Sequence, residues 1–151
     1  MKICCFFGHR KLYNTEELQK KLYQTIEKII LENGIKEFWV GNYGVFDKMV
    51  SYILNELKKL YDIRIELIIP YLTHEIAEEK VFYNQRFDSI TVADIPTTTH
   101  YKSKITKTNE YMVDNSEYLI CFVDKEWGGA AKALKYAEKK KKNIINIAEL
   151  N

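Results

Sequence analysis

Three glycine-bearing segments have the residue types of an anion site in a parallel α/β protein. They are Gly8-His9-Arg10, Gly41-Asn42-Tyr43-Gly44 and Trp127-Gly128-Gly129. Each follows an apolar run that predicts a strand and precedes a run that predicts a helix. Such turns lie at the carboxyl ends of parallel strands, where ligands bind, and helix N-termini hold phosphates through their N–H groups. The three segments therefore predict a site for a nucleotide-like anion.

The first segment offers a tight turn and a cation. Gly8 lets the chain turn directly after the predicted strand. The Arg10 guanidinium is a planar, permanently charged fork suited to phosphate or carboxylate, although a surface arginine beside an ordinary turn glycine explains the same residues. We interpret His9 as a loop polar group or a hydrogen-bond donor to the ligand, and not as a catalytic base.

The second segment offers close backbone approach, an aromatic ring and a carboxylate. Gly41 and Gly44 flank Asn42 and Tyr43, and the tyrosine can stack on a base or a ribose. Asp47 follows in the first turn of the next predicted helix. There it either complements the helix dipole, worth ~0.3–1 kcal/mol, or accepts hydrogen bonds from sugar hydroxyls. We favour the second role, because the preceding turn already has the residues of a ligand site.

The third segment is the strongest single element. Gly128 and Gly129 expose the N–H groups of a helical first turn with no side chains in the way. Trp127 beside them either covers the pocket or packs on the core, and packing is the commoner role of a tryptophan. The basic run at residues 139–142 is interpreted as a solvated helix end rather than a nucleic-acid patch.

Composition narrows the class of protein. The 151 residues fit one domain, 1–151. The net charge of +2 is too small for a dedicated nucleic-acid binder. Without a signal peptide pattern or an apolar run of ~18 residues, a cytoplasmic protein that does not enter a membrane is expected. The cysteines, of which two are adjacent, lack metal-ligand spacing and are expected to be reduced and packed; no metal and no cofactor is expected.

Hydrophobic periodicity supplies the elements that position these segments. Strands are predicted at residues 3–7, 38–40, 63–69, 89–93, 118–123 and 144–147. Helices are predicted from an N-cap at Asn14, paired with Glu17, to a stop at Asn33-Gly34, then from residue 45 to about 60, at 75–83, 102–115 and 130–141. Strands and helices alternate throughout. The pattern predicts one three-layer α/β domain with a mainly parallel sheet and helices on both faces.

The motifs in this order resemble the SLOG superfamily, and most closely its YpsA-like branch from bacteria and their phages. The resemblance is carried by residues 6–10, 41–47, 109–114 and 127–130 and extends to residues 144–146. It implies a Rossmann-like fold, a site for nucleotide-derived ligands and, because many relatives self-associate, a homodimer or other homo-oligomer. It also implies a pocket lined by Gly8, Arg10, Gly41, Gly44, Asp47, Gly128 and Gly129, with Asn109 and Asp114 as further contributors.

Two departures from the family pattern bear on function. Thr108 stands where relatives commonly place an arginine before the matching asparagine, which removes one expected cation. The phosphoribohydrolase branch has a Pro-Gly-Gly-x-Gly-Thr stretch followed by a catalytic glutamate. Here Gly129 is followed by Ala130-Ala131-Lys132-Ala133, and the next acidic residue is Glu138.

Three functions remain open on the sequence. The first is a protein that binds a nucleotide or nucleotide-derived signal, ADP-ribose-like or a cyclic nucleotide, as sensor, regulator or sequestering protein. The alternative is an enzyme that cleaves an N-glycosidic bond, like a nucleotide phosphoribohydrolase or deoxyribosyltransferase, with Asp47 or Asp114 as its carboxylate. A single-stranded DNA-binding module is the third, and the small net charge disfavours it.

Overall fold

The computed structural model describes residues 2–150, and within them six strands form one parallel sheet. The strands are β1 (Ile3–Gly8), β2 (Glu37–Val40), β3 (Arg64–Ile69), β4 (Ser89–Val92), β5 (Tyr118–Phe122) and β6 (Asn143–Asn146). Their order across the sheet is β4-β3-β2-β1-β5-β6, and every neighbouring pair is parallel. The chain moves outward from β1 to β4 and then returns to place β5 beside β1. This reversal opens a crevice at the carboxyl ends of β1 and β5.

The helices cover both faces of the sheet. They are α1 (Thr15–Asn33), α2 (Gly44–Lys58), α3 (His74–Glu78), α4 (Lys80–Arg86), α5 (Lys104–Asp114) and α6 (Gly129–Lys139), with 3₁₀ turns at Tyr101–Ser103 and Ile147–Glu149. Buried side chains of α1, α2, α3 and α4 share one core cluster, and those of α5 and α6 share the other. The result is a three-layer α/β Rossmann-like fold.

The two cores differ in side-chain size. On the α1 and α2 face large side chains interlock, and Phe6 stacks on Phe38 with ring centroids 6.0 Å apart. On the other face, α6 presents its alanines to the sheet, with Ala133 and Ala137 buried. Because alanine side chains are short, α6 lies close to β1 and β5, which brings its first turn next to the crevice.

The sequence predicted the fold class and the alternation of elements correctly, with local differences. Asn14 precedes α1 with φ 54° and makes no side-chain cap, so the predicted pairing with Glu17 is wrong. The helix predicted at residues 75–83 is instead the two short helices α3 and α4. Leu60, assigned to the apolar stripe of α2, lies beyond that helix and is exposed. Gly34 ends α1 in the left-handed conformation, as predicted.

The cysteines are buried and unoxidised. Cys4, Cys5 and Cys121 are free thiols within the sheet. Burial raises the pKa of Cys5 and of Cys121 to about 12, which keeps both thiols protonated and unreactive. Within residues 2–150, no helix combines the length and the hydropathy that a membrane crossing requires.

Gly8 tests how tightly α2 packs against β1. A Cβ at position 8 would overlap the ring of Phe46, a fully buried side chain. We expect Gly8→Ala to lower the free energy of unfolding by roughly 1–3 kcal/mol or more, because the ring has no space to move into. Urea denaturation followed by circular dichroism measures the change.

Gly129→Ala is the matched control for this prediction. Apart from its chain neighbours and the backbone of its own helix, no described atom lies within 4 Å of a Cβ built at position 129. The free energy of unfolding of this variant should therefore stay within about 1 kcal/mol of the wild type. Equal urea midpoints for Gly8→Ala and the wild-type protein would contradict the close packing of Gly8 against Phe46.

Candidate functional site

A cavity of about 420 Å³ occupies the carboxyl ends of β1, β2 and β5, against α5. We call it the β1/β5 crevice. The structure brings to it residues from all three glycine segments and from α5. The sequence-predicted residues that line it are Gly8, His9, Arg10, Gly41, Tyr43, Asp47, Asn109, Gly128 and Gly129.

The first turn of α6 opens onto this crevice. Gly128 has φ 97°, a conformation that other L residues rarely adopt, and no side chain of the described residues caps the helix. The first backbone bond into the helix runs from the Lys132 N–H to the Gly128 carbonyl, 3.1 Å. The N–H groups of the preceding residues therefore remain available to an anion, with the positive end of the helix dipole behind them.

Three cationic residues line the same crevice as this helix end. Arg10, Lys11 and Lys125 all line the crevice. The Lys125 ammonium lies 5.9 Å from the centroid of the Trp127 ring. Trp127 is 70% exposed, so it lies at the rim and does not take the core position that is commoner for tryptophan. Sequence reasoning did not single out the two lysines, although Lys11 directly follows the first glycine segment and Lys125 lies two residues before the third.

The loop after β1 is hydrogen-bonded to the start of α2. The Arg10 carbonyl accepts the Val45 N–H at 3.2 Å, and the Arg10 guanidinium lies 5.8 Å from the centroid of the Tyr43 ring. Gly44 has φ 88°, and a Cβ there would lie 2.7 Å from Cα of Arg10. Glycine is thus required at position 44 for the helix start to approach the loop so closely.

His9 joins the loops on the two sides of the crevice. Its side chain is mostly buried, and Nε2 lies 3.1 Å from the backbone N of Asp124 and 3.2 Å from Asp124 Oδ1. The ring meets Phe122 edge-on, with centroids 6.4 Å apart. Because Nε2 accepts the Asp124 N–H, His9 links the loops that follow β1 and β5.

Asp47 is the buried carboxyl of the site. Its Oδ2 accepts the Tyr43 N–H at 2.8 Å, and the residue is only 9% exposed. A Cβ at Gly41 would lie 3.0 Å from Oδ2, so the glycine leaves room for the carboxyl. Burial raises the pKa of Asp47 to about 7, against the opposing effects of the Tyr43 hydrogen bond and the Arg10 charge.

The remaining sequence-predicted residues lie elsewhere. Asn42 and Gly44 line a neighbouring groove beside α2. Asp114, the last residue of α5, precedes the start of β5; it accepts a hydrogen bond from the Tyr136 hydroxyl at 2.8 Å, with the Lys140 ammonium 3.8 Å away. Asp114 is therefore not among the residues that line the crevice, because the length of α5 carries it toward the amino ends of the strands.

Thr108 occupies the crevice at the position where an arginine was expected. It is buried, and its hydroxyl donates to the Lys104 carbonyl at 2.7 Å. Any anion held here consequently relies on the lysines, on Arg10 and on α6. Residues 2–150 contain no group of three or more His, Cys, Asp or Glu side chains arranged to hold a metal ion.

The raised pKa of Asp47 predicts how the free energy of unfolding depends on pH. The carboxyl titrates near ~3.9 in the unfolded chain and at about 7 in the folded protein. Between these values the folded state binds more protons, so the free energy of unfolding falls as pH rises through this window. An asparagine in its place cannot ionise, yet its side-chain oxygen still accepts the Tyr43 N–H. We expect Asp47→Asn to exceed the wild type in stability by roughly 2–4 kcal/mol above pH 7.

Urea denaturation from pH 4 to pH 8 measures this gain, which should vanish toward pH 4. Asp62→Asn is the matched control, because Asp62 is exposed, lies outside the crevice and makes no side-chain hydrogen bond or ion pair within residues 2–150, and it should show no such gain. A stability difference for Asp47→Asn that is constant across the range would contradict the burial of an ionisable carboxyl.

Comparison with known proteins gives the chain its family. The family model described as the YspA SLOG family (YpsA) matches residues 4–150. A UPF0398 protein of Macrococcus caseolyticus (strain JCSC5402) is 28% identical over 133 residues, covering 83% of this chain but 66% of that relative. The SPbeta prophage-derived protein YoqJ of Bacillus subtilis (strain 168) is 24% identical over 139 residues, covering 82% of this chain and 81% of that protein.

Two solved structures share the fold. DNA processing protein A (DprA) from Streptococcus pneumoniae superposes with a TM-score of 0.70 at 12% identity, over 95% of this chain and 49% of that one. The structural-genomics target TM1055 superposes with a TM-score of 0.61 at 11% identity, over 95% of this chain and 72% of that one. The chain thus spans only about half of DprA. The match over residues 4–150 establishes that the chain belongs to the YpsA family of SLOG proteins.

Proposed function

We propose that this protein binds a nucleotide or a nucleotide-derived signalling ligand in the β1/β5 crevice. The observation that carries the proposal is the meeting of an uncapped helix N-terminus, several cations and a buried carboxyl around one cavity of about 420 Å³. Cavities of this size, with a few convergent polar groups, are typical small-molecule sites. Membership in a nucleotide-related family supports the same ligand class.

The anionic part of the ligand belongs at α6. N–H groups of its first turn provide directional donors, and the dipole favours negative charge. Arg10 and Lys125 supply full positive charges from the loops after β1 and β5. Because Gly129 has no side chain and its surroundings are open, a phosphate can approach the backbone directly.

Asp47 provides the group for the sugar. One hydrogen bond, from the Tyr43 N–H, is recorded to this carboxyl within residues 2–150, which leaves its second oxygen available to ribose hydroxyls. Acidic residues play this part in dinucleotide sites. The nearby Tyr43 ring offers a face for stacking.

The positions of the acidic residues favour a binding role, as sensor, regulator or sequestering protein, over catalytic turnover. Ala130, Ala131 and Lys132 follow Gly129, where the phosphoribohydrolase pattern has any residue, a glycine and a threonine before its glutamate. Asp114, the other carboxylate considered for catalysis, lies away from the crevice. Asp47 is thus the single carboxylate lining the crevice in the described part of the chain.

Gly129→Leu tests the anion site. The space around a Cβ at position 129 is open, apart from its chain neighbours and the backbone of its own helix, so a leucine side chain can be accommodated beside the α6 first turn. We expect affinity for the best-bound member of a panel containing AMP, cyclic AMP and ADP-ribose to fall at least tenfold, with little change in Tm. Isothermal titration calorimetry measures the affinity.

Lys28→Leu is the control, since Lys28 is exposed on α1 and lines neither the crevice nor the groove beside α2. It should bind as the wild type does. The proposal fails if no panel member binds the wild-type protein at millimolar concentration, or if Gly129→Leu binds with unchanged affinity.

One observation favours cleavage of an N-glycosidic bond as a second candidate function. Asp47 borders the crevice with a pKa raised to about 7 by burial, which suits general acid–base chemistry near neutral pH. In such a reaction water adds to C1′ of the ribose, and the base leaves with a proton. A carboxylate serves to stabilise the oxocarbenium-like transition state or to activate the water.

This candidate predicts slow release of free base from nucleoside monophosphates, and its loss in Asp47→Asn. Chromatography of reaction mixtures detects the base. If the wild-type protein binds nucleoside monophosphates but releases no base over hours, the enzymatic candidate fails and the binding role stands.

A further inference from the structure

A second and larger cavity adjoins the crevice. It has a volume of about 820 Å³ and lies between α2 and α4; we call it the α2/α4 groove. The groove and the crevice share Gly41 and Asp47 in their linings. The two cavities therefore meet at one glycine and one buried carboxyl.

Aromatic side chains form much of the groove. Phe82 and Tyr83 of α4 meet edge-on at 5.2 Å, and Tyr83 stacks on Phe87 at 6.3 Å. Tyr52 contributes from α2 and is 58% exposed, while Phe82 is 46% exposed. The Arg86 guanidinium covers one face of the Phe82 ring, 3.5 Å from its centroid. A planar ligand ring can stack on the other face of Phe82 and on Tyr52, and these contacts bury apolar area.

The polar groups of the groove are only weakly engaged. The Asn42 amide lies 3.4 Å from the Tyr83 hydroxyl, and that hydroxyl lies 3.4 Å from Oε1 of Glu75. Both distances exceed the 2.7–3.2 Å typical of good hydrogen bonds. The amide and the hydroxyl can therefore turn to a ligand at small cost, and they have the donors and acceptors that the edge of a nucleobase requires.

The positions of the two cavities set the length of a ligand that fills both. The α6 first turn follows β5, whereas the groove lies beside α2, which follows β2. Between β5 and β2 there are two strand spacings, roughly 10 Å. A ribose at Asp47, which borders both cavities, would have a base on its groove side and a phosphate chain running toward α6.

We propose that the α2/α4 groove is the nucleobase subsite of the same ligand, which is then a nucleoside diphosphate or a conjugate of one. The base lies against Phe82 and Tyr52, the ribose lies at Asp47 and the diphosphate reaches α6. This inference rests on the proposed anion site and extends it to a second cavity. It selects extended ligands over cyclic mononucleotides, whose phosphate is closed back onto the ribose.

The test compares ligands with and without a base. We expect at least one of ADP, GDP, CDP and UDP to bind the wild-type protein at least tenfold more tightly than pyrophosphate does. Phe82→Ala and Tyr52→Ala should each weaken that nucleotide about tenfold and leave pyrophosphate affinity unchanged. Both side chains are substantially exposed, so these variants should fold. Calorimetry supplies the nucleotide affinities, and chemical-shift titration of ¹⁵N-labelled protein supplies that of pyrophosphate.

Two further variants separate this inference from the proposed function. Val81→Ala is the matched control, since Val81 is exposed on α4 and does not line the groove; it should bind as the wild type does. Gly129→Leu should weaken the nucleotide and pyrophosphate alike. Suppose that Gly129→Leu weakens both affinities while Phe82→Ala and Tyr52→Ala leave the nucleotide and pyrophosphate affinities unchanged. The groove assignment is then overturned and the anion site stands. If neither ligand binds the wild-type protein, both proposals fail.

Discussion

The site depends on how closely the N-terminus of α2 approaches the ends of β1 and β2. That approach is set by positions without side chains: Gly8 faces the buried Phe46, Gly44 faces Arg10, and Gly41 faces the Asp47 carboxyl. Had any of these carried a Cβ, the helix would have to move away from the sheet edge or a neighbour would have to shift. The same contacts between the α2 N-terminus and the strand ends also fix Arg10 and Asp47 at the edges of the cavities.

Much of this arrangement follows from the sequence. Apolar runs alternating with helical stripes predicted the parallel α/β fold, because strands covered on both faces need continuous apolar sequence. Each glycine segment follows a strand, and parallel strands end at one edge, so residues of all three segments line the same crevice. Asn109 lines the crevice and Asp114 does not, because the rise of an α-helix, about 1.5 Å per residue, separates the two.

Other features depend on contacts distant in sequence. Helix α4 is held by Tyr83 and Phe87, which join the core of α1 and α2, and residues 71–100 carry little periodicity from which to predict such packing. The groove beside α2 exists only once α4 is placed, so no local pattern predicts it. Asn14 shows the converse: its residue type favours a cap, but its left-handed backbone leaves the cap unmade.

The energetics of Asp47 argue against a purely structural role. Complementing the dipole of α2 would contribute ~0.3–1 kcal/mol at an exposed position. Burial instead raises the pKa of this carboxyl to about 7. The free-energy cost of desolvating the ionised carboxyl therefore exceeds the stabilisation that the helix dipole provides. An uncharged side chain of the same shape would avoid that cost and keep the hydrogen bond from the Tyr43 N–H. A ligand hydroxyl that donates to the second oxygen would restore the lost solvation, which supports Asp47 as the point at which the two cavities share one ligand.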